Sequence, residues 1–348
     1  MKPDATKYFV CPTCRGDLAL STSESGPEIE AGTLACAACD KTYPIVRGVP
    51  RFVAGEQYAD TFGRQWTRWS KTQHDSMNGT TIFRERLLRY TGWTPESMAG
   101  KVVVDAGCGP GGFIDINHPH AKAVIGFDLS VAIESSYENH GKRPNVYLAQ
   151  GDIFNPPIRR DIADRLYTFG VVQHTPDPEG AFRSLIPLVK EGGEIAVWVY
   201  KRSLVPQPLY WMRAFTAGMP EPKATRFIEW YVPRAMLVSG ALGKVPVAGK
   251  VLRRIVPVAD YRDKLALSEE EQHEWALMDT HDGLITRYTF PQRWPDLLRW
   301  TRDLAEVTKP HPREMSAVAR RPTVEPQVRV APSAASGPRP SVAAQTSV

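Results

Sequence analysis

The sequence of 348 residues lacks the features of a membrane-spanning or secreted chain. No uncharged apolar run approaches the ~20 residues that a transmembrane helix needs. The first residues, MKPDATKYFV, lack the apolar region of a signal peptide. The net charge is only +5, and residues 306–348 carry six Lys/Arg against three Asp/Glu, so the bulk of the chain does not indicate nucleic acid. These absences predict a soluble, cytoplasmic protein, and the length suggests about two domains.

Cysteine is also scarce, but four of the five cysteines form two Cys-x-x-Cys pairs. Cys11 and Cys14 are separated from Cys36 and Cys39 by 21 residues. Each pair places two thiolates on one side of a tight turn, and two pairs complete the closed tetrahedron of a structural zinc site. Two disulfides or a redox pair are the alternatives, and a cytosolic setting disfavours structural disulfides. The spacing predicts a zinc ribbon over residues 1–53, with a loose hairpin between the pairs.

Aromatic residues are absent after Trp300. From residue 322 onward the chain consists mostly of Pro, Ala, Ser, Val and Arg. Such a composition cannot bury a core, so residues 321–348 are predicted to form a disordered tail.

The chain is organised around residues 101–112, KVVVDAGCGPGG. Three valines predict a short buried strand, and a glycine-rich turn follows them, which is the nucleotide-binding corner of a doubly wound α/β sheet. Gly107, Gly109 and Gly112 satisfy the dinucleotide pattern. However, Asp105 would repel a pyrophosphate, whereas it would attract the ammonium and sulfonium groups of S-adenosylmethionine. The acid favours S-adenosylmethionine, although the turn alone leaves both cofactors open.

Four further segments follow at the spacing of such a sheet. Residues 124–130 predict a second strand that ends in Asp128, an acid placed to bind ribose hydroxyls. Residues 146–153 predict a third strand that ends near Asp152, where a carboxylate can accept from an adenine amino group. Residues 164–178 predict strand four and its loop, and residues 188–200 predict a helix end, a Gly-Gly turn and strand five.

This series resembles the class I S-adenosylmethionine-dependent methyltransferases over residues 101–200. The pattern CPxC…CxxC…YPI…GVPRF, in residues 8–53, resembles the zinc ribbon of the tRNA-methyltransferase activator family. The resemblance implies a Rossmann-like, doubly wound, seven-stranded α/β sheet, with S-adenosylmethionine and a structural Zn²⁺ as cofactors. The cofactor contacts expected from the motifs are Asp105, Gly107, Cys108, Gly109, Gly111, Asp128, Leu129, Asp152, Ile153, Phe169 and Gly170.

The remaining segments suggest a domain plan. Residues 54–100 are a linker with helices, whose FRERLLRY stretch predicts a helix with Phe83, Leu87, Leu88 and Tyr90 near one face, either a lid or a packing helix. Residues 101–320 form the methyltransferase domain, closed by candidate strands at 305–308 and 316–320. A helical cap is inserted at 201–280. Its residues 233–264 carry seven Lys/Arg against two Asp, which fits an acidic acceptor, peripheral contact with a membrane surface, or an ordinary solvated face.

The loop after strand four is the best place for chemistry, because ligands of open α/β sheets bind in that crevice. His174 is the candidate catalytic base, and its alternative role is to shape the loop or contact the cofactor. Many relatives carry two histidines here, and Gln173 replaces the first. Short matches to related caps add further acceptor contacts. The predicted acceptor-binding residues are Gln173, Asp279, Asp282, Arg287 and Tyr288.

The function expected from these patterns is methyl transfer to an O or N atom of a small molecule, a secondary metabolite or glycan precursor. An RNA base methyltransferase is the second hypothesis, opposed by the mild charge and by Phe169-Gly-Val-Val where an Asn-Pro-Pro-Tyr type motif would stand. A non-catalytic zinc-ribbon scaffold is the third, opposed by the intact Asp105, Asp128 and Asp152. Nucleic acid is therefore an unlikely partner on sequence grounds.

Overall fold

A computed structural model describes residues 1–55, 59, 63, 66–203, 208–216, 219–262, 265 and 267–323. Two β-sheets organise this part of the chain, a small one near the start and a seven-stranded one after it. The predicted disordered tail lies outside the described residues from position 324 onward. The domain boundaries proposed from the sequence stay predictions.

The small sheet has four antiparallel strands in the order β1-β2-β3-β4. They are β1 (Leu18–Ser21), β2 (Ala31–Cys36), β3 (Thr42–Val46) and β4 (Val49–Pro50). The hairpin of β1 and β2 confirms the expected turn between the two cysteine pairs, with Leu18 opposite Cys36. Arg47 and Gly48 both have positive φ at the tight turn into β4.

The large sheet has the strand order β10-β11-β9-β8-β5-β6-β7. Its strands are β5 (Val102–Ala106), β6 (Ala123–Asp128), β7 (Val146–Gln150), β8 (Ala163–Phe169), β9 (Val189–Trp198), β10 (Ala305–Thr308) and β11 (Ser316–Arg320). Strands β5 to β9 pair in parallel, whereas β11 runs antiparallel to both β9 and β10. This sheet confirms the Rossmann-like fold expected from the sequence, including its final strand pair.

Strand five differs in one detail from the sequence expectation. We expected a Gly-Gly turn before the strand, but Gly192 and Gly193 lie within β9. The pairing with β8 already begins at Val189, opposite Ala163, and resumes with Glu194 opposite Arg165. The two glycines therefore form an irregularity in the strand, where Gly192 has a φ of +74°.

The described helices surround the sheet and build the cap. They are α1 (Asp75–Asn78), α2 (Ile82–Thr91), α3 (Gly112–Asn117), α4 (Ala132–Ser136), α5 (Pro178–Leu185), α6 (Pro208–Thr216), α7 (Glu221–Gly243), α8 (Gly249–Leu252), α9 (Glu269–Ile285) and α10 (Trp294–Trp300). A π-helical turn, Tyr137–Gly141, continues α4. Ser268 and Glu271 form a capping box that fixes the start of α9. No helix in these ranges is long and apolar enough to cross a membrane.

Helix α2 packs between the sheet and the cap. Phe83, Leu87 and Tyr90 are buried, whereas Leu88 is 51% exposed. Our placement of Leu88 on the buried face was wrong, because five residues of helix rotate it about 140° away from Phe83. Phe83 shares an apolar cluster with Ile228 of α7 and Trp275 of α9. The cap is thus held by a core of its own that begins on α2.

The cysteine-containing sheet packs against β7, the edge strand of the large sheet. The Phe52 amide donates to the Gln150 carbonyl at 2.9 Å, and Val10 donates to Pro157 at 3.0 Å. Phe9 belongs to one continuous apolar cluster with Tyr147. An exposed edge strand is prone to pair with other chains, and here the N-terminal residues cover it.

Candidate active site and cysteine cluster

The glycine turn after β5 has the backbone of a ligand cradle. Gly107, Gly109 and Gly111 have φ values of 82°, 51° and 99°, which side-chain-bearing residues rarely adopt. A Cβ atom on Gly107 would lie 2.5 Å from a methyl group of Val171. The turn also opens α3, since Gly111 is its N-cap. Trp66 lies over the turn, with its indole nitrogen 3.7 Å from the position of a Cβ on Gly109.

Asp128 lies at the carboxyl end of β6 and faces the same turn. Its Oδ2 accepts from the Gly109 amide at 3.0 Å, and its Oδ1 accepts from the Ser130 amide at 2.8 Å and the Ser130 hydroxyl at 2.7 Å. Burial raises the pKa of this carboxyl, and these three donors oppose the rise. The structure thus brings the predicted acid and the glycine turn within hydrogen-bond distance of each other.

Asp105, at the end of β5, is fully enclosed. Burial raises its pKa to about 8, and a hydrogen bond from the Tyr167 hydroxyl only partly opposes this effect. Among the described residues, none donates a hydrogen bond to its Oδ2. A buried carboxyl oxygen without a donor costs free energy, so this atom is suited to a cationic ligand group.

The other predicted cofactor residues lie on neighbouring strand ends. Cys108 and Leu129 are buried beside the turn, and Ile153 is buried after β7. Asp152 is half-buried, and its Oδ1 accepts from the Phe154 amide at 3.0 Å. Phe169 ends β8 and stacks on Tyr167 with ring centroids 4.8 Å apart, and Gly170 follows with a φ of 73°. Their roles stay predictions.

His174 lies in the loop after β8 and is 5% exposed. Its Nδ1 is 2.9 Å from the carbonyl oxygen of Tyr288. A carbonyl oxygen can only accept, so Nδ1 carries the proton and Nε2 of the neutral ring is left as the acceptor. Nε2 faces Asp282 Oδ2 at 4.0 Å, which is longer than a direct hydrogen bond. The Tyr200 hydroxyl donates to that same oxygen at 2.5 Å.

Asp279 and Asp282 lie three residues apart on α9 and thus on one face of the helix. Burial raises the pKa of Asp279 to about 6, opposed by a hydrogen bond from the Tyr261 hydroxyl and by the charge of Arg86. Arg86 reaches this cluster from α2, with its guanidinium 5.0 Å from the ring of Trp275. The result is an enclosed set of opposite charges and tyrosine hydroxyls below the His174 loop.

The remaining predicted acceptor residues, Gln173, Arg287 and Tyr288, lie outside the cluster formed by Asp279 and Asp282. Gln173 is fully buried, and in the part of the chain described here neither atom of its amide group has a hydrogen-bond partner. Its Nε2 lies 3.9 Å from the position of a Cβ on Gly170, which links the loop to the end of β8. Tyr288 contributes its carbonyl oxygen to His174. Arg287 is exposed, with its guanidinium 5.5 Å from the Tyr288 ring.

Sequence reasoning missed three contributors to this cluster. Arg86 lies on the buried face of α2, three residues after Phe83. Its helical spacing from Phe83 could have predicted this position from the sequence. Tyr200 and Tyr261 bring hydroxyl groups to Asp282 and Asp279, respectively. No local pattern marks them, because neither tyrosine lies on α9 and only the packing of the fold brings their hydroxyl groups to that helix.

The four paired cysteines converge as predicted. All four Sγ atoms lie within 4.8 Å of one another, with Cys11 and Cys39 at 3.6 Å and Cys14 and Cys36 at 3.4 Å. None of the four forms a disulfide. The Tyr43 hydroxyl lies 3.1 Å from the Cys11 sulfur, as an outer contact. Four converging thiolates form the donor set of a closed tetrahedral zinc site, so the cluster is compatible with Zn²⁺.

Comparison with known families gives the decisive observation. Residues 104–197 match a family model described as a methyltransferase domain. These residues are similar to a methyltransferase domain. Residues 9–48 match a second model, described as Trm112p-like protein. Both resemblances inferred from the sequence motifs are confirmed, and the first match runs from β5 to β9 and includes the glycine turn and the His174 loop.

Two curated relatives are similar to part of this chain at low identity. The chain is 27% identical over 189 residues to a 2-methyl-6-phytyl-1,4-hydroquinone methyltransferase of Spinacia oleracea, covering 52% of each chain. It is 27% identical over 103 residues to a ubiquinone biosynthesis O-methyltransferase of Coxiella burnetii, covering 28% of this chain and 43% of the relative. The chain therefore spans about half the length of the curated relatives it matches.

One solved structure that resembles this chain is a complex of two proteins. It is the complex between the Haloferax volcanii Trm112 methyltransferase activator and a putative methyltransferase. The similarity has a TM-score of 0.33 at 18% identity, and it covers 41% of this chain and 62% of that one.

Proposed function

We propose that this chain is a cytoplasmic enzyme that transfers a methyl group from S-adenosylmethionine to an oxygen atom of a small aromatic hydroxyl compound. The supporting observation is the position of His174 Nε2 in the loop after β8, 4.0 Å from Asp282 Oδ2. The acceptor class follows the printed names of the curated relatives, which act on a hydroquinone and in ubiquinone biosynthesis.

The residues of the glycine turn fit the proposed cofactor. Asp105 Oδ2, which has no donor among the described residues, suits an ammonium group, and the positive-φ glycines let a ligand approach the backbone. Asp128 is placed to accept from ribose hydroxyls, and the end of β7 at Asp152 suits the base. When bound, S-adenosylmethionine supplies an electrophilic methyl group attached to a sulfonium.

His174 would act on the acceptor hydroxyl. The Tyr288 carbonyl holds the ring in the tautomer whose Nε2 can take a proton. An acceptor hydroxyl bound beside His174 would donate to Nε2 and gain nucleophilic character as its oxygen attacks. Asp282 then stabilises the imidazolium that forms, while the Tyr200 hydroxyl holds the carboxylate in place. Alignment of the oxygen with the methyl group supplies a further share of the acceleration.

The aromatic side chains near His174 fit a ring-shaped acceptor. Tyr90 stacks on Trp198 with ring centroids 4.7 Å apart, and Tyr200 meets the His174 ring edge-on at 5.2 Å. Buried aromatic rings favour offset or edge-on contact with another ring. Gln173 would then place its amide group on a second polar atom of the acceptor.

We also propose that the cap rests on an anionic lipid surface, from which a hydrophobic acceptor would enter. Leu237 of α7, Val247 of the turn after α7 and Val251 of α8 are 75%, 106% and 65% exposed. Lys244 and Lys250 are exposed in the same stretch. Apolar side chains flanked by cations are typical of helices that lie in a membrane interface.

The proposed function is tested in two steps. Tritiated-methyl transfer from S-adenosylmethionine is first measured against lipid, water-soluble, RNA and protein fractions of a cell extract. Label in the lipid or water-soluble fraction supports a small-molecule acceptor. Label confined to RNA would instead establish the base-methyltransferase hypothesis.

The second step addresses His174 with a labelled acceptor from the first. His174→Ala should lower kcat by about 10²–10⁴-fold with cofactor affinity nearly unchanged, since a base is removed but the glycine turn is not. His311→Ala, which changes a histidine between β10 and β11, is the matched control and should retain full activity. A loss of about tenfold or less, appearing partly in the cofactor KM, would show that His174 only shapes the loop.

A further inference from the structure

A second group of metal-binding side chains lies beneath the glycine turn, far in sequence from the cysteines. Asp115, His118 and His140 each offer one ligand atom, and these atoms lie within 4.8 Å of one another. Asp115 belongs to α3, and His118 follows it three residues later at the end of the same helix. His140 comes from the π-helical turn after α4. The fold thus brings the three residues together from two separate segments.

His140 is the residue that indicates a ligand. It is 2% exposed, and within the described residues neither of its ring nitrogens has a hydrogen-bond partner. Buried polar atoms are normally paired, and an unpaired one destabilises the folded state. Packing of the ring against His74, with centroids 5.1 Å apart, provides contact but no hydrogen bond to either nitrogen. Coordination of a metal ion would give one of these nitrogens a partner.

Asp115 is held in the orientation that a ligand needs. Its Oδ2 accepts from the Ser76 amide at 2.9 Å, and its Oδ1 accepts from the Ser76 hydroxyl at 2.5 Å. A carboxylate oxygen has two lone pairs, so each oxygen keeps a free position for a metal ion. Outer hydrogen bonds of this kind fix the ligands of metal sites. Ser76 would therefore be the supporting residue of the site.

His118 gives the group access from solvent. Its side chain is half-buried, whereas Asp115 and His140 are buried. Its backbone carbonyl accepts from the Asn145 side chain at 2.8 Å, which anchors the end of α3. The rings of His118 and His140 lie 5.9 Å apart between centroids. An ion could reach the site past His118 without any rearrangement of the core.

We propose that Asp115, His118 and His140 bind a divalent transition-metal ion, with Zn²⁺ as the first candidate. Two imidazoles and one carboxylate are a set that Zn²⁺ and neighbouring metals accept, with water in the open position. The site would tie α3 to the segment after α4. Gly111 lies in direct contact with it, since a Cβ there would be 2.7 Å from His140 Cδ2. The ion would therefore stabilise the glycine turn and has no part in methyl transfer.

Metal content tests this proposal independently of catalysis. The full chain, purified without chelators and dialysed against Zn²⁺, should hold about two zinc equivalents, one of them in the cysteine cluster. His140→Leu and Asp115→Asn should each hold about one. His120→Gln changes a histidine at the same end of α3 that is outside the group, and it should keep both. One equivalent in the unaltered chain would overturn the proposal.

Thermal unfolding provides a second readout that does not depend on stoichiometry. With the cysteine cluster already loaded, added Zn²⁺ should raise the Tm of the unaltered chain by about 5 °C or more, since only the folded state holds the second site. The His140→Leu variant should show no such rise, whatever its own Tm. Equal Tm changes in both proteins would reject the site even if His140→Leu proved more stable than the unaltered chain.

Discussion

At the scale of single residues, the buried surroundings of Asp105 disfavour the ionised form of its carboxyl group. Burial raises its pKa to about 8, and its nearest charged neighbour of note, Asp128, adds repulsion. The folded-state pKa exceeds the ordinary value of about 3.9. The protonated form is therefore favoured in the folded protein. Its contribution to the free energy of unfolding is greatest below about pH 4 and is lost as the pH rises through 8.

This pKa predicts proton release when a cation binds beside Asp105. At pH 7 most of the Asp105 carboxyl is protonated, and the ammonium of S-adenosylmethionine would favour the ionised form. Calorimetry in two buffers of different ionisation enthalpy should show about one more proton released by the unaltered chain than by Asp105→Asn. The comparison cancels any titration of the cofactor itself. Identical proton release in both proteins would mean that Asp105 does not meet the cationic group.

Also at the residue scale, α2 shows where a sequence pattern predicts well and where it does not. Phe83, Leu87 and Tyr90 are buried as helical spacing indicates, and Leu88 is not. Arg86 lies on the buried side among carboxylates and tyrosines, although hydrophobicity alone would place it outside. Burial lowers its pKa, but the combined electrostatic effect of Tyr90, Asp279, Tyr261 and Tyr200 outweighs burial and raises the pKa above its ordinary value. The identity of its neighbours, not its own chemistry, determines its position.

At the scale of elements, the cap helices α7 and α8 carry an exposed surface that combines apolar and basic side chains. Trp211 and Phe215 of α6 add further exposed rings, at 64% and 84%. Lys244, Lys250 and Arg254 are exposed in the same region, whereas Arg253 and Arg262 pair with Asp260. The paired arginines fix the fold of the cap, and the other cations remain available to a surface of opposite charge.

The cap surface predicts binding to anionic vesicles. The chain should sediment with phosphatidylglycerol-containing vesicles and less with phosphatidylcholine alone, since each Lys or Arg near an anionic surface contributes about 1 kcal/mol. Val247→Asp combined with Val251→Asp should weaken binding by about tenfold or more. Leu298→Asp, at a 44% exposed position on α10, is the matched control and should bind normally. Equal sedimentation with both vesicle types, or none, contradicts a lipid-facing cap.

At the scale of the whole molecule, the cysteine-containing sheet and the edge of the large sheet share one core. Besides the shared apolar cluster, Lys2 donates to the carbonyl oxygens of Gly141 at 2.6 Å and Val146 at 2.9 Å. The side chain of Arg51 is mostly buried, and its guanidinium forms an ion pair with the Glu134 carboxylate at 2.8 Å. These contacts connect the cysteine-containing sheet directly to β7, which is followed by the predicted cofactor residue Asp152.

Loss of the cysteine-bound metal should therefore reach beyond residues 1–53. Cys14→Ser removes one of the four predicted metal ligands. The backbone amides of residues 1–53 should then exchange hydrogen faster. Hydrogen exchange should also become faster at β7, whose Gln150 carbonyl bonds to Phe52, while the central strand β8 should keep its protection. His118→Gln is the comparison that alters the second metal site alone. Unchanged exchange at β7 in Cys14→Ser would show that the two parts unfold independently.

The sequence by itself determined the architecture. The valine-rich strand with its glycine turn, the acids after strands two and three, and the two cysteine pairs are local patterns whose physics acts within a few residues. Glycine is needed where φ is positive, and paired cysteines set the position of their own thiolates. For that reason the sheet, the ribbon and the cysteine cluster could be predicted without coordinates.

Only the tertiary structure decided which distant side chains meet. Arg86, Tyr200, Tyr261 and Asp282 come from α2, the end of β9, the cap and α9, and His140 approaches Asp115 from another segment. Their contacts depend on the packing of elements that the sequence spaces far apart, and no local periodicity encodes that packing. Burial then changes their chemistry, because removal from water raises the pKa of Asp279 and leaves polar atoms of Gln173 and His140 without partners among the described residues.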